Sequence, residues 1–166
     1  PRELSNGICS LNPHEDRLTL SVVMNIDKQG NVVDYQICEG LIRTCERMTY
    51  TDVYAILQGD PQTCKKYDYL VQDFKNMESL HYLLEENRNK RGALNFDLPE
   101  CKFEMDEQGH VLDVKLYERN VAHLMIESFM LITNEVVAEA MCKREIPFIF
   151  RVHEQPDAER MNEFFN

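Results

Sequence analysis

Polar side chains that could do chemistry lie on an otherwise apolar segment, NVAHLMIESFMLITNEVVAE. Among its Leu, Met, Ile, Val and Phe residues stand His123, Glu127, Asn134 and Glu135. Steps of four and seven bring His123, Glu127 and Asn134 near one face of a helix. A carboxylate on a helix that buries most of its surface is costly unless it is paired or serves a site. Glu127 is therefore either a site residue, or a residue that lies on a solvated stripe of the helix or pairs with an arginine such as Arg119 or Arg151, and the residues alone favour the second, structural role.

A metal site on this helix finds little support in the sequence. His123 and Glu127 have the i, i+4 spacing of two metal ligands on one helix. No third ligand is evident, however, and the H-E-x-x-H order of zinc hydrolases is absent. We also find no nucleophile elbow, phosphate loop, dinucleotide fingerprint or aspartate cluster of a two-metal nuclease. The pattern alone therefore predicts no metal site and shows no catalytic motif, and it leaves a soluble α+β chain with a possible polar cleft.

Two aromatic residues are candidates for a binding cleft. Phe96 follows the basic stretch NRNKRGALN, so its ring could stack on a base while Lys and Arg meet phosphate. Tyr50 lies in RMTYTDV, at a strand-to-helix junction where side chains often reach a cleft. The alternatives stay open at this point. Phe96 could be a core residue of a strand beside a solvated helix end, and Tyr50 a half-buried residue bonded to a backbone carbonyl.

The composition sets the class of protein. The 166 residues are 43% hydrophobic, enough for one domain with a sizeable core. The net charge of −11 argues against a uniformly basic nucleic-acid surface, although a local groove can still bind RNA.

Six scattered cysteines without a C-x-x-C pair indicate reduced thiols in a cytoplasmic protein. No uninterrupted apolar run reaches the length of a membrane span, so no membrane partner is predicted. Because the chain starts at Pro1, we expect a piece of a longer protein.

The elements that must position these residues can be read from periodicity and turn residues. DRLTLSVVMNID and VVDYQICEGLIRT predict a β-hairpin around KQGN, and FDLPECKFEMDEQGHVLDVKLYER predicts a second hairpin. TYTDVYAILQGD predicts a short helix capped by Thr49 or Thr51, and CKKYDYLVQDFKNMESLHYLLEENRNKRGAL one long helix ending at Gly92. The apolar segment around Glu127 predicts a second long, buried helix.

The end of the chain predicts a short buried strand in IPFIFRVHEQP and a last helix in DAERMNEFFN. The opening stretch SNGICSLNP, crowded with Ser, Asn, Gly and Pro, predicts a non-helical loop. Together these elements predict an α+β fold of antiparallel β-hairpins packed against long α-helices.

Several of these stretches together resemble one known family. LSNGICSLNPHEDRLTL resembles the L-S-N-x-x-C-S-L-N-P-x-x-D-R-L segment of the ribonuclease II/ribonuclease R (RNB) family of exoribonucleases. The resemblance continues in order through RMTYTDVYAIL, RGALNFDLPE, NVAHLMIESFMLITNEVVAE and PFIFRVHEQPD. The LQGD and RVHEQP stretches are closer to the ribonuclease R branch than to the ribonuclease II branch. The similarity covers essentially the whole chain.

The resemblance implies an activity and a place within a larger domain. Family members are magnesium-dependent hydrolases that degrade single-stranded RNA processively from its 3′ end to nucleoside 5′-monophosphates. Residues 1–166 would be the central segment of one RNB catalytic domain. The family's catalytic aspartates precede the SNxxCSLNP loop and its TSPIRRYxD motif follows RVHEQP. The resemblance therefore places the catalytic groups, most of the Mg²⁺ ligands and the RNA-binding cold-shock and S1 domains outside this chain.

Three residues match RNA-binding positions of the family. Phe96 matches the aromatic residue that stacks on terminal bases. Glu127 matches the glutamate that contacts ribose near the scissile end, and Tyr50 matches the tyrosine that helps it to prefer RNA over DNA. A ribose 2′-hydroxyl can donate to a carboxylate and accept from a phenol, so this pair can tell RNA from DNA. The resemblance thus favours a site role for Glu127 over the arginine pair.

A second function remains open from the sequence. The same fold could serve as a non-catalytic RNA-binding or protein-interaction module that has lost the chemistry. Flanking sequence separates the two hypotheses, because a D-x-x-x-x-x-D-x-D-D run and an arginine motif on either side support the enzyme.

Overall fold

The computed structural model describes residues 1–93, 100–117, 119–152 and 156–165 of the chain. These residues form two antiparallel hairpins and a set of helices. In chain order they are β1 (Asp16–Ile26), β2 (Val32–Arg43), α1 (Tyr50–Leu57), α2 (Pro61–Lys66), α3 (Val71–Lys90), β3 (Glu100–Met105), β4 (Val111–Tyr117), α4 (Val121–Lys143) and α5 (Ala158–Phe165). β1 pairs with β2 and β3 with β4, each as a separate two-stranded sheet. The predicted α+β fold of antiparallel hairpins and helices is confirmed.

The first hairpin contacts the helices through its turn. Gly30 has a φ of +80°, a left-handed conformation that glycine adopts at no steric cost. A Cβ atom at Gly30 would lie 2.6 Å from Asn87 Nδ2 and 2.9 Å from Leu83 Cγ on α3. The Asn87 side-chain amide donates to the Gln29 carbonyl in the same turn. Glycine is therefore required both by the turn and by its close approach to α3.

The core lies where α1, α3 and α4 meet. Its buried side chains come from each of these helices and from the end of α2: Val53, Ile56, Tyr67, Phe74, Ala122 and Met125. Ile56 is completely buried, and Ala122 and Met125 are each 1% exposed. This cluster fixes the start of α1 against the first turns of α4, which are the elements that carry Tyr50 and Glu127.

α4 is less buried within this chain than its composition predicts. Met130 is 60% exposed and Leu131 is 38% exposed, while Val136 and Ala140 are buried. By length and composition alone, α4 is also apolar enough to cross a membrane. That test is weak evidence, because the core helix of a soluble protein passes it too. The sequence predicts no such span because Glu127 and Glu135 interrupt the apolar run.

Three local predictions were wrong. The long helix predicted from Cys64 onward is divided at Tyr67, which has a φ of −119° and a ψ of 37° and whose ring is buried in the core. The described part of IPFIFRVHEQP forms no strand, and Ile149 is 95% exposed, because this segment meets no sheet edge among the described residues. The opening stretch winds through a widened helical turn at Glu3–Ile8, which breaks at Gly7.

Candidate RNA-binding site

The start of α1 places Tyr50 at the rim of the core. Thr49 caps the helix, since its side-chain oxygen accepts a hydrogen bond from the Asp52 backbone N–H at 3.1 Å. Tyr50 is therefore the first helical residue, one turn before the buried Val53. It is 44% exposed, and its hydroxyl has no hydrogen-bond partner among the described residues. The predicted alternative, a hydroxyl bonded to a backbone carbonyl, is not seen in this part of the chain.

The start of α4 brings His123 against Tyr50. The two rings are stacked, with centroids 4.0 Å apart and an angle of 24° between their planes. Asn120 caps α4 by accepting from the Ala122 backbone N–H at 3.1 Å, and His123 completes a capping box with Asn120. From the sequence, His123 is only a polar or metal-ligating residue. The stack was missed because it depends on the packing of α1 against α4, which no local spacing encodes.

Glu127 lies one helical turn beyond His123. Its Oε2 atom forms an ion pair and hydrogen bond with Arg119 Nη2. The Glu127 side chain is 43% exposed and that of Arg119 is 31% exposed, so the pair borders solvent. The arginine partner considered from the sequence is thus present. The second carboxylate oxygen, Oε1, has no partner among the described residues, so the pair leaves one acceptor open.

The structure therefore brings Tyr50 and Glu127 to one junction. Tyr50 stacks on His123, and Glu127 is four residues after His123 on the same face of α4. The junction offers a phenol, a carboxylate and a guanidinium around a solvent-exposed rim. A phenol donor beside a carboxylate acceptor can bind a hydroxyl group that both donates and accepts a hydrogen bond.

Phe96, the third predicted site residue, lies outside the described residues. Two charges of the neighbouring basic cluster are paired within the chain. Arg91 donates to both carboxylate oxygens of Glu135, at 3.1 and 3.2 Å, and Lys90 lies 2.6 Å from Glu86. Arg91 and Glu135 belong to a cleft of about 620 Å³ between the first hairpin, the end of α3 and the second half of α4. In this conformation these two basic side chains are neutralised by carboxylates of the chain itself.

The part of the chain that the structure describes does not fit a magnesium site. No three His, Cys, Asp or Glu side chains come together within residues 1–93, 100–117, 119–152 and 156–165. All six cysteines are free thiols and form no cluster. We therefore derive no step of a reaction through a metal ion bound by these residues.

Comparisons of the sequence and of the fold with known proteins point to the same family. The chain is 45% identical over 166 residues to ribonuclease R 1 of Lactococcus lactis, covering 100% of this chain and 20% of the relative. It is 42% identical over 161 residues to ribonuclease R of Aquifex aeolicus, covering 97% of this chain and 23% of the relative. The chain thus spans about a fifth of the length of these curated relatives.

Solved structures of a similar fold come from the same family of proteins. Mycoplasma genitalium RNase R in complex with ribose methylated single-stranded RNA matches with a TM-score of 0.86 and 26% identity, over 98% of this chain and 25% of that chain. The same protein in complex with double-stranded RNA matches with a TM-score of 0.87, over 98% of this chain and 29% of that chain. The family model described as RNB domain matches residues 1–166. The chain belongs to the RNB domain family.

Proposed function

We propose that this chain is the central segment of the catalytic domain of an exoribonuclease. The whole protein would hydrolyse single-stranded RNA processively from the 3′ end and release nucleoside 5′-monophosphates. The observation that carries the proposal is the junction of α1 and α4, where Tyr50 and Glu127 lie around His123. Membership of the RNB domain family and the ribonuclease R relatives support the activity.

At this junction the chain would recognise the sugar of the RNA. The open Oε1 atom of Glu127 would accept a hydrogen bond from the ribose 2′-hydroxyl, while Arg119 holds Oε2. The Tyr50 hydroxyl, which is unbonded among the described residues, would donate to the same 2′-oxygen. A deoxyribose offers neither contact, so both groups would favour RNA over DNA.

Phe96 would supply affinity that does not depend on sequence. Stacking of a base on an aromatic ring is worth about 1–3 kcal/mol per base and is tolerated by every base. We expect Phe96→Ala to weaken the binding of short RNA by about tenfold, and to lengthen the end product. Unchanged binding in a filter or fluorescence anisotropy titration would assign Phe96 to the core.

The remaining parts of the proposal concern the protein outside this chain. Mg²⁺ would supply the chemistry of phosphodiester hydrolysis, and most of its ligands and the other catalytic groups would come from neighbouring segments of the same domain. Separate RNA-binding domains of the parent chain would hold the substrate. A cytoplasmic location belongs to the same proposal and is supported by the six free cysteines. The proposal includes no membrane partner.

Glu127→Ala in the full-length protein tests the sugar contact. We expect the ratio of RNA to DNA cleavage rates to fall by about two- to tenfold, the equivalent of one lost hydrogen bond. Glu135→Ala is the matched control, because Glu135 is also an exposed glutamate of α4 paired with an arginine. An unchanged ratio for Glu127→Ala, or an equal fall for both variants, would count against the ribose contact.

The isolated chain tests whether the catalytic groups lie outside it. Because the Mg²⁺ ligands are proposed to lie outside it, the 166-residue chain should show negligible nuclease activity with Mg²⁺. Turnover by a contaminant-free preparation would mean that the catalytic groups lie within this chain. A full-length protein that binds RNA but cleaves none would instead support the non-catalytic module.

A further inference from the structure

The ring of Tyr50 lies stacked against the ring of His123. Tyr50 is the first residue of α1 and is 44% exposed, so core packing alone does not fix its ring. The imidazole ring lies against one face of the phenol ring, with centroids 4.0 Å apart and planes inclined by 24°. A stacked neighbour restricts rotation of the tyrosine ring and thereby limits where the hydroxyl can point.

His123 is itself held by the cap of α4. Its Nδ1 atom lies 3.3 Å from the Asn120 backbone nitrogen and 3.0 Å from Asn120 Oδ1. The Asn120 side chain in turn accepts from the Ala122 N–H. Both contacts tie the imidazole to Asn120, at the start of the same helix that carries Glu127 one turn later.

We propose that His123 is a positioning residue for sugar selection. By stacking on Tyr50, it fixes the phenol hydroxyl relative to the Glu127 carboxylate, so that both groups can reach a single 2′-hydroxyl. The inference rests on the proposed function. In it α4 positions both groups that contact the ribose, because it carries Glu127 and, through His123, orients Tyr50. What His123 contributes is the face of an aromatic ring.

A double-mutant cycle in the full-length protein tests this inference. The variants are Tyr50→Phe, His123→Ala and the combination of both, and the readout is the ratio of RNA to DNA cleavage rates. We expect each single change to lower the ratio by about two- to tenfold. The double variant should lower it no further than Tyr50→Phe, because His123 acts through the hydroxyl that is already missing. Losses that multiply, or an unchanged ratio for His123→Ala, would overturn the inference.

A second pair of variants separates the ring from its hydrogen bonds. His123→Phe keeps an aromatic ring and loses the bonds to Asn120, whereas His123→Asn keeps a polar group and loses the ring. We expect His123→Phe to retain most of the RNA preference and His123→Asn to behave like His123→Ala. The opposite order would assign His123 to helix capping alone and overturn the inference.

Binding measurements test the inference even where a variant cleaves neither RNA nor DNA at a measurable rate. The affinity of each variant is measured in EDTA for an RNA oligonucleotide and for its DNA counterpart, after circular dichroism has shown that the helices remain. His123→Ala should lower the RNA-to-DNA affinity ratio, and an unchanged affinity ratio would overturn the inference. If Tyr50→Phe leaves every ratio unchanged, the proposed ribose contact of Tyr50 fails as well. If Tyr50→Phe lowers them and His123→Ala does not, only the inference about His123 fails.

Discussion

At the scale of single residues, the two carboxylate oxygens of Glu127 have different roles: one binds a partner in the chain and the other is proposed to contact the substrate. The hydrogen bond of Arg119 goes to Oε2, and both side chains are partly exposed. An ion pair at such a position stabilises the fold by only about 0–1 kcal/mol. Its main effect is therefore to orient the carboxylate, with Oε1 left open for the proposed ribose contact.

Replacing Arg119 tests this orienting role. We expect Arg119→Met to lower the RNA-to-DNA rate ratio by about twofold or more, with a loss of folding stability of less than about 1 kcal/mol. Arg91→Met is the control, because Arg91 holds Glu135 near the other end of α4. Single-turnover rates on paired RNA and DNA strands provide the measurement. A similar fall in the ratio for both variants would show that Arg119 has no special relation to the sugar site.

The sequence singles out individual polar residues better than it predicts their contacts. Glu127 stood out because a carboxylate interrupts an apolar helix, and Arg119 was one of two arginines considered as its partner. The stack of Tyr50 on His123 could not be predicted in this way. The two residues are far apart in sequence, and only the burial of Val53 and Ala122 in one core brings their helices together.

At the scale of elements, the N-terminal cap of α1 determines where Tyr50 lies. Thr49→Ala removes the acceptor for the Asp52 N–H, and we expect it to lower the free energy of unfolding by about 1 kcal/mol. Thr51→Ala is the matched control, since Thr51 is exposed on the same helix and makes no cap. Chemical denaturation of both variants measures the difference. Equal destabilisation by the two changes would contradict the capping role.

A buried polar contact joins α3 to α4 next to the candidate site. His81 is 2% exposed, and its Nδ1 atom lies 2.8 Å from Ser128 Oγ. Burial lowers the pKa of His81 below its ordinary value of 6.5, and the nearby carboxylate of Glu85 opposes this shift. The folded protein therefore favours the neutral imidazole.

This histidine predicts a pH dependence of stability. Because the pKa of His81 is lower in the folded state, the unfolded chain takes up the proton first as pH falls below about 6.5. The His81 contribution should be complete above that pH and should decrease between pH 6.5 and the folded pKa. We expect the thermal unfolding temperature to fall when the pH is lowered from about 7.5 to 5.5. We expect a smaller fall over the same pH range in His81→Gln. A drop of the same size in His81→Gln would show that other groups cause it.

Element types followed from periodicity more reliably than element boundaries. Both hairpins, their glycine turns and α4 were predicted because alternation, turn residues and caps are local signals. The break at Tyr67 was not, because the surrounding residues keep a helical period while burial of the ring imposes a non-helical backbone. The strand predicted in IPFIFRVHEQP needs a partner edge, which is a property of the whole domain.

At the scale of the whole molecule, the first hairpin presents an uncovered apolar face. Leu18, Leu20 and Leu41 are 86%, 77% and 66% exposed, and Leu18 lies opposite Leu41 in the register of the hairpin. Such a face is unusual on an isolated domain. The chain spans only 25% of the matched Mycoplasma RNase R structure. We expect the rest of the full-length polypeptide to cover this face.

The exposed face predicts different behaviour for the chain alone and for the whole protein. The isolated chain should self-associate, and Leu20→Glu should reduce that association because it places a charge on the apolar face. Thr19→Glu, on the opposite face of β1, should have a smaller effect. Sedimentation velocity measures both variants. A monomeric isolated chain at micromolar concentration would contradict the expectation.

The structure of the full-length protein bound to an RNA strand tests the account most directly. We predict that one ribose 2′-oxygen lies within about 3.2 Å of both the Glu127 carboxylate and the Tyr50 hydroxyl, with the Tyr50 ring still stacked on His123. An RNA strand that passes this junction without a ribose contact to either residue would contradict the proposed function.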